Sequence, residues 1–332
     1  MEPKAPRFRQ IGLRLGQSKL SYQIRRPEWT GPQPSPAGRS LVMSTADDPL
    51  PDLMRSLSHT LPDQRARGAR ALGRLGWLAR DALPLLASAI HDSEPTVREA
   101  AAQAVGQMGP DALPHLIAML DHSDKYVRRN AVWALGKLGP LAREAIPALC
   151  VALKDSDPRT ASGAAQSLGS MGMDAATAVP ALTEAMRGTN IVLCRLASKA
   201  LSQIGRPALS ALITHLQHRD PFVRGEAALA IGWMGPAAAA AVPELIDILR
   251  EGASRLDAPS ATVGSKTPVT AIIPAKPPAS GDDASRAHAA QALGRIGPAA
   301  GAAVPYLEAA THDGNEQVRQ CATQALRQIR GA

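Results

Sequence analysis

Aromatic residues are scarce in this chain: two Phe, three Tyr and four Trp make up 3% of its 332 residues. A core without rings must be filled by Ala, Leu, Ile, Val and Met, as pairs of packed helices allow. Cysteine is equally sparse. Cys150, Cys194 and Cys321 show neither the spacing of a metal site nor that of a disulfide framework. They read as small buried residues of a reducing compartment, so the cytoplasm is expected. No run of 18 apolar residues is present, which argues against a membrane-spanning helix, and the first 40 residues lack the apolar segment of a secretory signal. No G-x-S-x-G, P-loop or dinucleotide fingerprint opens a strand–helix unit. Eight histidines occur without one His-Glu dipeptide.

What the chain does contain is a period. Residues 124–153, DKYVRRNAVWALGKLGPLAREAIPALCVAL, read as two short helices broken at Gly139-Pro140. Val127, Ala131, Ala134, Leu135 and Leu138 recur at helical spacing in the first, and Ile146, Leu149 and Leu153 in the second. Neither helix can bury its stripe alone, so neighbours of the same kind are required. The glycine ending the first helix recurs as Gly76, Gly109, Gly139, Gly172, Gly205, Gly235 and Gly297, at intervals of 33, 30, 33, 33, 30 and 62. Such self-similarity marks a helical solenoid. The two short intervals arise where three residues are missing between helices, as in QMGPDALPHL, and the long one holds an insertion.

Counted back from that marker, each column has a physical meaning. Eleven residues upstream stand Arg65, Arg98, Arg128, Arg224, Arg286 and Arg319, in reach of acids between repeats, and a structural ladder is expected. Eight upstream the residue is always small, from Gly68 to Ala322. Three upstream, Gly73, Gly106, Gly136, Gly169, Gly232 and Gly294 imply that a partner helix comes too close for a methyl group, since glycine inside a helix costs about 0.5–1 kcal/mol. The marker suits a left-handed residue closing a helix, and Pro84, Pro147, Pro180, Pro243 and Pro305 suit the first turn of the next.

The patterns VRRNAVWALGKLGPLAREAIPAL, VREAAAQAVGQMGP and VRGEAALAIGWMGPAAAAAVPEL resemble HEAT-like repeats of the phycobilisome-lyase type, over about residues 50–330 apart from the insertion. The resemblance implies an all-α, right-handed solenoid of about eight helix pairs, with the Val-Arg helix lining the concave side. It covers bilin lyases, a di-iron hydroxylase and plain binding scaffolds, and the fold does not choose among them. The hydroxylase branch uses His-Glu pairs that this chain lacks. His91, His122, His218 and His312 recur at the ends of outer helices and suit the helix dipole there. Successive repeats stand about 8–10 Å apart, too far for one residue per repeat to share a metal. No catalytic residue, metal or cofactor is expected.

Residues 1–48 fall outside the period. In the first 40, eight Lys or Arg stand against Glu2 and Glu28, which is six of the chain's net +8. A disordered basic arm is expected there, and Met43 in MSTADDPL resembles an ordinary protein start. The solenoid is expected over 49–331, broken by a disordered Pro/Ser/Ala-rich insertion at 252–283 inside the seventh pair, with QALRQIR as a polar end cap.

On the inner helices, positions 13, 6 and 2 before the marker share the face left over by the core. Positions 6 and 2 hold Trp133/Lys137, Gln166/Ser170, Lys199/Gln203, Leu229/Trp233 and Gln291/Arg295, with no carboxylate anywhere in the row, and position 13 adds Tyr126 and Phe222. Rings among cations and amides suit a groove that grips a peptide. Trp133, Trp233, Tyr126 and Phe222 are expected as anchors, with Lys137 and Arg129 as carboxylate partners. The function expected is non-enzymatic, a protein or peptide partner being held on the concave face of a monomer. Neither a membrane nor nucleic acid is the expected partner, because outside the arm the net charge is close to zero. A bilin-lyase-like subunit is the alternative from another class.

Overall fold

The computed structural model describes residues 8–15, 18–25, 49–253 and 281–331. They form two compact units, residues 1–108 and 109–332. The first contains a hairpin, β1 (Phe8–Leu15) and β2 (Ser18–Arg25), and four helices: α1 (Leu50–Ser56), α2 (Pro62–Leu75), α3 (Leu83–Ala89) and α4 (Pro95–Gln107). The second contains α5 (Leu113–Met119), α6 (Lys125–Leu138), α7 (Ile146–Ala152), α8 (Pro158–Ser170), α9 (Val179–Met186), α10 (Ile191–Ile204), α11 (Arg206–Leu216), α12 (Pro221–Met234), α13 (Val242–Ala253), α14 (Gly281–Ile296), α15 (Val304–Ala310) and α16 (Glu316–Arg330). Alternate helices make eight pairs. The even-numbered, inner helices of the second unit pack each against the next from α6 to α16, and the outer helix of each pair packs on its inner partner. This is an all-α solenoid, as the period implied.

The core columns are those of the repeat. The small residues Ala131, Ala164, Ala197, Ala227, Ala289 and Ala322 are all fully buried, and so are Leu135, Leu168, Leu201, Ile231 and Leu293 four before the marker. The close approach inferred from the third-upstream glycines is real, and the partner is the following inner helix. A methyl group on Gly73 would stand 2.8 Å from the Ala104 Cα, and one on Gly294 2.8 Å from the Ala325 Cα. At Gly136 the neighbour is the Ser167 hydroxyl, which donates to the Val132 carbonyl at 2.6 Å and ties α8 to α6.

The marker glycines have positive φ throughout, but at Gly76, Gly109, Gly139, Gly205 and Gly235 ψ is not that of the left-handed helical region. Gly139 lies at φ 54, ψ −129 and Gly235 at φ 61, ψ −140, a region essentially closed to any side chain. Gly331, at φ 73, ψ 24, takes instead the left-handed helical cap. The marker then opens a seven-residue 3-10 segment, such as Gly139–Ala145, and the outer helix follows with proline in its first turn. Of the two shortened repeats, one retains only Pro110–Ala112 of that segment and the other runs from Gly205 straight into α11, which is where the three residues are lost.

Within the arm expected over 1–48, residues 8–15 and 18–25 are two antiparallel strands in which Ile11 pairs with Tyr22 and Leu13 with Leu20. Ile11, Leu13, Leu15 and then Leu20, Tyr22, Ile24 alternate with polar residues, which is strand patterning. The high charge masked that signal. The insertion expected over 252–283 overlaps the end of α13 and the start of α14, and the disorder assigned to its residues 254–280, like that of the remaining arm, lies outside the described residues. Residues 221–250, which contain an 18-residue window of mean hydropathy 1.4, are two helices broken at Gly235.

Candidate functional site

The ladder that fixes the inner helices uses the upstream arginines. Arg65 donates from Nε and Nη2 to Asp92 at 2.7 and 2.8 Å, and Arg128 does the same to Asp155 at 2.7 and 2.8 Å. Arg286 reaches Asp313 at 3.0 Å and Asp283 at 2.9 Å. Nη1 of Arg128 also donates to the His122 and Ser123 carbonyls, a pair of bonds that Arg65, Arg98, Arg224 and Arg319 repeat on their own turns. The Arg65 hydrogen bond holds the Asp92 carboxyl below the ordinary range, against the opposing pull of burial. For Asp155 burial is the largest influence and acts upward, but Arg128 and the Asp157 amide together outweigh it. These arginines are structural.

The turn histidines have a different role from the one expected of them. His122 Nδ1 accepts the Asp124 amide at 3.0 Å, His218 Nδ1 accepts that of Asp220 at 3.1 Å, and His59 Nδ1 that of Leu61 at 3.0 Å. Each ring nitrogen thus ties down a backbone amide of the turn that leads into the next inner helix.

With the core columns turned inward, the residues six and two before the marker face solvent. Trp133, Lys137, Gln166, Ser170, Lys199, Gln203, Trp233 and Arg295 are all exposed, and Leu229 and Gln291 partly so. On α6, Tyr126, Arg129, Trp133 and Lys137 follow one another up a single stripe. Trp133 is 51% exposed and Tyr126 46%, fractions at which such rings are unusual on a folded surface. The Lys137 ammonium lies 5.6 Å from the centre of the Trp133 ring, and Lys125 and Arg129 lie 5.5 and 5.1 Å from that of Tyr126. Cations within about 6 Å of a ring face are attracted to it, and the contact holds both side chains in place.

Arg129 is not available in the way the sequence led one to expect. Its Nε and Nη2 donate to Asp157 at 2.7 and 2.5 Å, and Asp157, 9% exposed, also accepts the Thr160 amide and hydroxyl at 2.9 Å each. The Arg129 bond drives the Asp157 carboxyl far below the ordinary range. Arg129 thus spends its fork on a carboxylate that caps α8, and its remaining use is to support the Tyr126 ring.

Phe222 and Trp233 stand on α12, with α8 and α10 between them and α6. At about 8–10 Å per helix, the two aromatic groups are roughly 25–30 Å apart. Tyr126, Trp133 and Lys137 share the exposed stripe of α6, whereas Phe222 and Trp233 share a face of α12 but stand about 16 Å apart along it, at about 1.5 Å per residue. Phe222 is only partly exposed; Trp233 is 44% exposed. Trp77, on the turn after α2 in the other unit, is 50% exposed.

Between the α12 rings lies a residue that sequence reasoning missed. Glu226 is 4% exposed, with the Arg195 guanidinium of α10 at 3.6 Å. Burial pushes its carboxyl up, against the opposing influence of Arg195 and Ser198. His288 of α14 is half-buried beside Gly225, and burial pushes its imidazole down. The available signal was a lone carboxylate inside the most apolar inner helix, GEAALAIG. Beyond their first turns, the inner helices of this unit carry no other carboxylate. Among the described residues no group of three or more His, Cys, Asp or Glu is placed to hold a metal ion. All three thiols are pushed up by burial, which keeps them protonated and unreactive.

Among curated protein sequences none matches the chain. Solved structures with a similar course include an engineered protein (18% identity, 85% of this chain and 79% of that one, TM-score 0.43). A second is the YibA protein of E. coli (16% identity, 85% and 92%, TM-score 0.46). A third is the complex of CpcE and CpcF of phycocyanin lyase from Nostoc sp. PCC7120 (18% identity, 92% and 98%, TM-score 0.40). The sequence profile of HEAT repeats matches residues 50–124, 113–195 and 179–261, well over half of the chain. Taken with the paired helices and the recurring glycines, that match shows that the chain belongs to the HEAT repeat family.

Proposed function

We propose that this protein is a non-catalytic scaffold that holds a protein or peptide partner against the solvent face of its inner helices. The observation that carries this reading is the exposed stripe of α6, where Tyr126 and Trp133 stand in water with cations stacked on both. Nothing in the packing of the repeat calls for a ring at Trp133, since the same position holds Gln166, Lys199 and Gln291 elsewhere. Large, rigid and half-apolar side chains with few rotamers to lose are what a binding surface uses as anchors. The core and ladder fix the inner helices beneath the row, so a partner would meet a surface that is already ordered.

The test is selection from a random-peptide display library on the full chain, repeated with Trp133→Ala and Trp133→Ala/Trp233→Ala, each checked for helix content. Peptides that bind wild type and are lost from folded variants support the reading. Binding indifferent to both tryptophans overturns it. A visibly absorbing ligand held through Trp133 would replace it with the bilin-lyase-like alternative.

A further inference from the structure

The row has a sign. Lys137, Lys199 and Arg295 are exposed on α6, α10 and α14, and none has a carboxylate partner among the described residues. From α6 to α16 the one carboxylate of the inner helices past their first turns, Glu226, is buried beneath Arg195. The ladder acids are held at the turns by their arginines. The acids of the outer layer, such as Glu184, Glu244 and Glu308, are on odd-numbered helices or beside them. A partner on the row therefore meets positive charge and rings, and no exposed carboxylate.

The row also has a spacing. The three cations stand on every second inner helix, with α8 presenting Gln166 and Ser170 and α12 presenting Leu229 and Trp233 between them. Two helix spacings are about 16–20 Å. An extended peptide covers that distance in about five or six residues at 3.3–3.6 Å each. Phosphates of a nucleic acid strand recur far more densely, at about one per 3.4 Å of axis, and three widely spaced cations would leave most of them unmatched. Resting on the scaffold reading, we propose that the partner is an acidic peptide segment bound in extended form across α6 to α14. Its carboxylates are about five or six residues apart on Lys137, Lys199 and Arg295, with apolar side chains between them on Trp133 and Trp233. Gln166, Gln203 and Gln291 supply neutral donors and acceptors for the peptide main chain.

The experiment uses the same display selection on the full chain, read by composition, followed by binding of the enriched peptides to Lys137→Glu/Lys199→Glu/Arg295→Glu. All three side chains are exposed, so the triple variant keeps its fold. The expected result is enrichment of Asp and Glu at that spacing, weakening as salt is raised, and about tenfold or greater loss of affinity in the triple variant. Neutral or basic peptides that still require Trp133 would overturn the acidic assignment and leave the scaffold reading standing. Single-stranded oligo(dT) that displaces the acidic peptides at lower concentration than they displace one another would overturn it in favour of nucleic acid. An absence of any Trp133-dependent peptide would remove both.

Discussion

Replacing Gly73 by alanine sets helix propensity against helix packing at one position. Propensity alone favours the change by about 0.5–1 kcal/mol, because glycine inside a helix forfeits that much. The structure opposes it. The new Cβ would stand 2.8 Å from the Ala104 Cα, 2.9 Å from the Gln107 Oε1 and 3.1 Å from the Ala104 Cβ. The first of these is backbone, which cannot swing aside as the end of a side chain can, so α4 must move as a body. Overfilling a packed core by a methyl group costs about 1–3 kcal/mol, and the net expected effect is destabilisation by about 1–2 kcal/mol. Gly301 supplies the contrast, since its Cβ would meet nothing within 4 Å and other repeats hold Ala176 or Ala239 there. Gly301→Ala is expected to be neutral or to stabilise by up to about 1 kcal/mol. Urea unfolding followed by helix circular dichroism measures both. A gain in stability from Gly73→Ala would refute the close approach of the inner helices.

The marker glycines give a second contrast. Gly139→Asn should cost about 1–3 kcal/mol, because φ 54 with ψ −129 is closed to asparagine, whereas Gly331→Asn should be nearly silent at φ 73, ψ 24; thermal melts distinguish them. Asp92 and Asp155 have folded values below their unfolded ones, so their contribution is present above about pH 4 and is lost as pH falls through the folded values. Asp155→Asn should therefore flatten the acid limb of the stability profile, and Asp155→Ala should cost about 3 kcal/mol at neutral pH by stranding Arg128. Glu226 has the opposite sign: its folded value is raised, so its ionisation costs stability as pH rises. Glu226→Gln is expected to raise the melting temperature at pH 7 and to do little at pH 4.

Most of the solenoid was legible because a repeat averages over accidents. One glycine three residues before a helix end says little, but Gly73, Gly136, Gly169, Gly232 and Gly294 together say that something approaches, and the structure names it as the next inner helix. The arginine ladder was legible for the same reason, as was the solvent-facing phase of Trp133 and Trp233. Departures from the average were harder to read. Arg129 stands beside the ladder column with no equivalent cation in most repeats, and only three-dimensional placement shows that Asp157 claims it. Glu226 breaks its column once, so no pattern flagged it. The ψ of the markers is invisible to a rule that equates helix-ending glycine with the left-handed cap. The α6 and α12 rings were grouped because they share a column, yet a column runs across the whole array, and shared phase does not imply contact. In the strands 8–15 and 18–25 the alternation of apolar and polar residues is present in the sequence, but the high positive charge outweighed it.

The account's central claim is that the solvent face of the inner helices is where a partner sits. Site-specific photo-crosslinking in the native cell tests it most directly, with the reactive group placed at Gln166 or Gln203 on the row and, as the contrast, at Val151, which is 74% exposed on α7 of the outer layer. The account predicts a discrete adduct from both row positions, none from Val151, and loss of the row adducts with Trp133→Ala/Trp233→Ala. Adducts that form from Val151 and not from the row, or row adducts indifferent to the tryptophans, would contradict it.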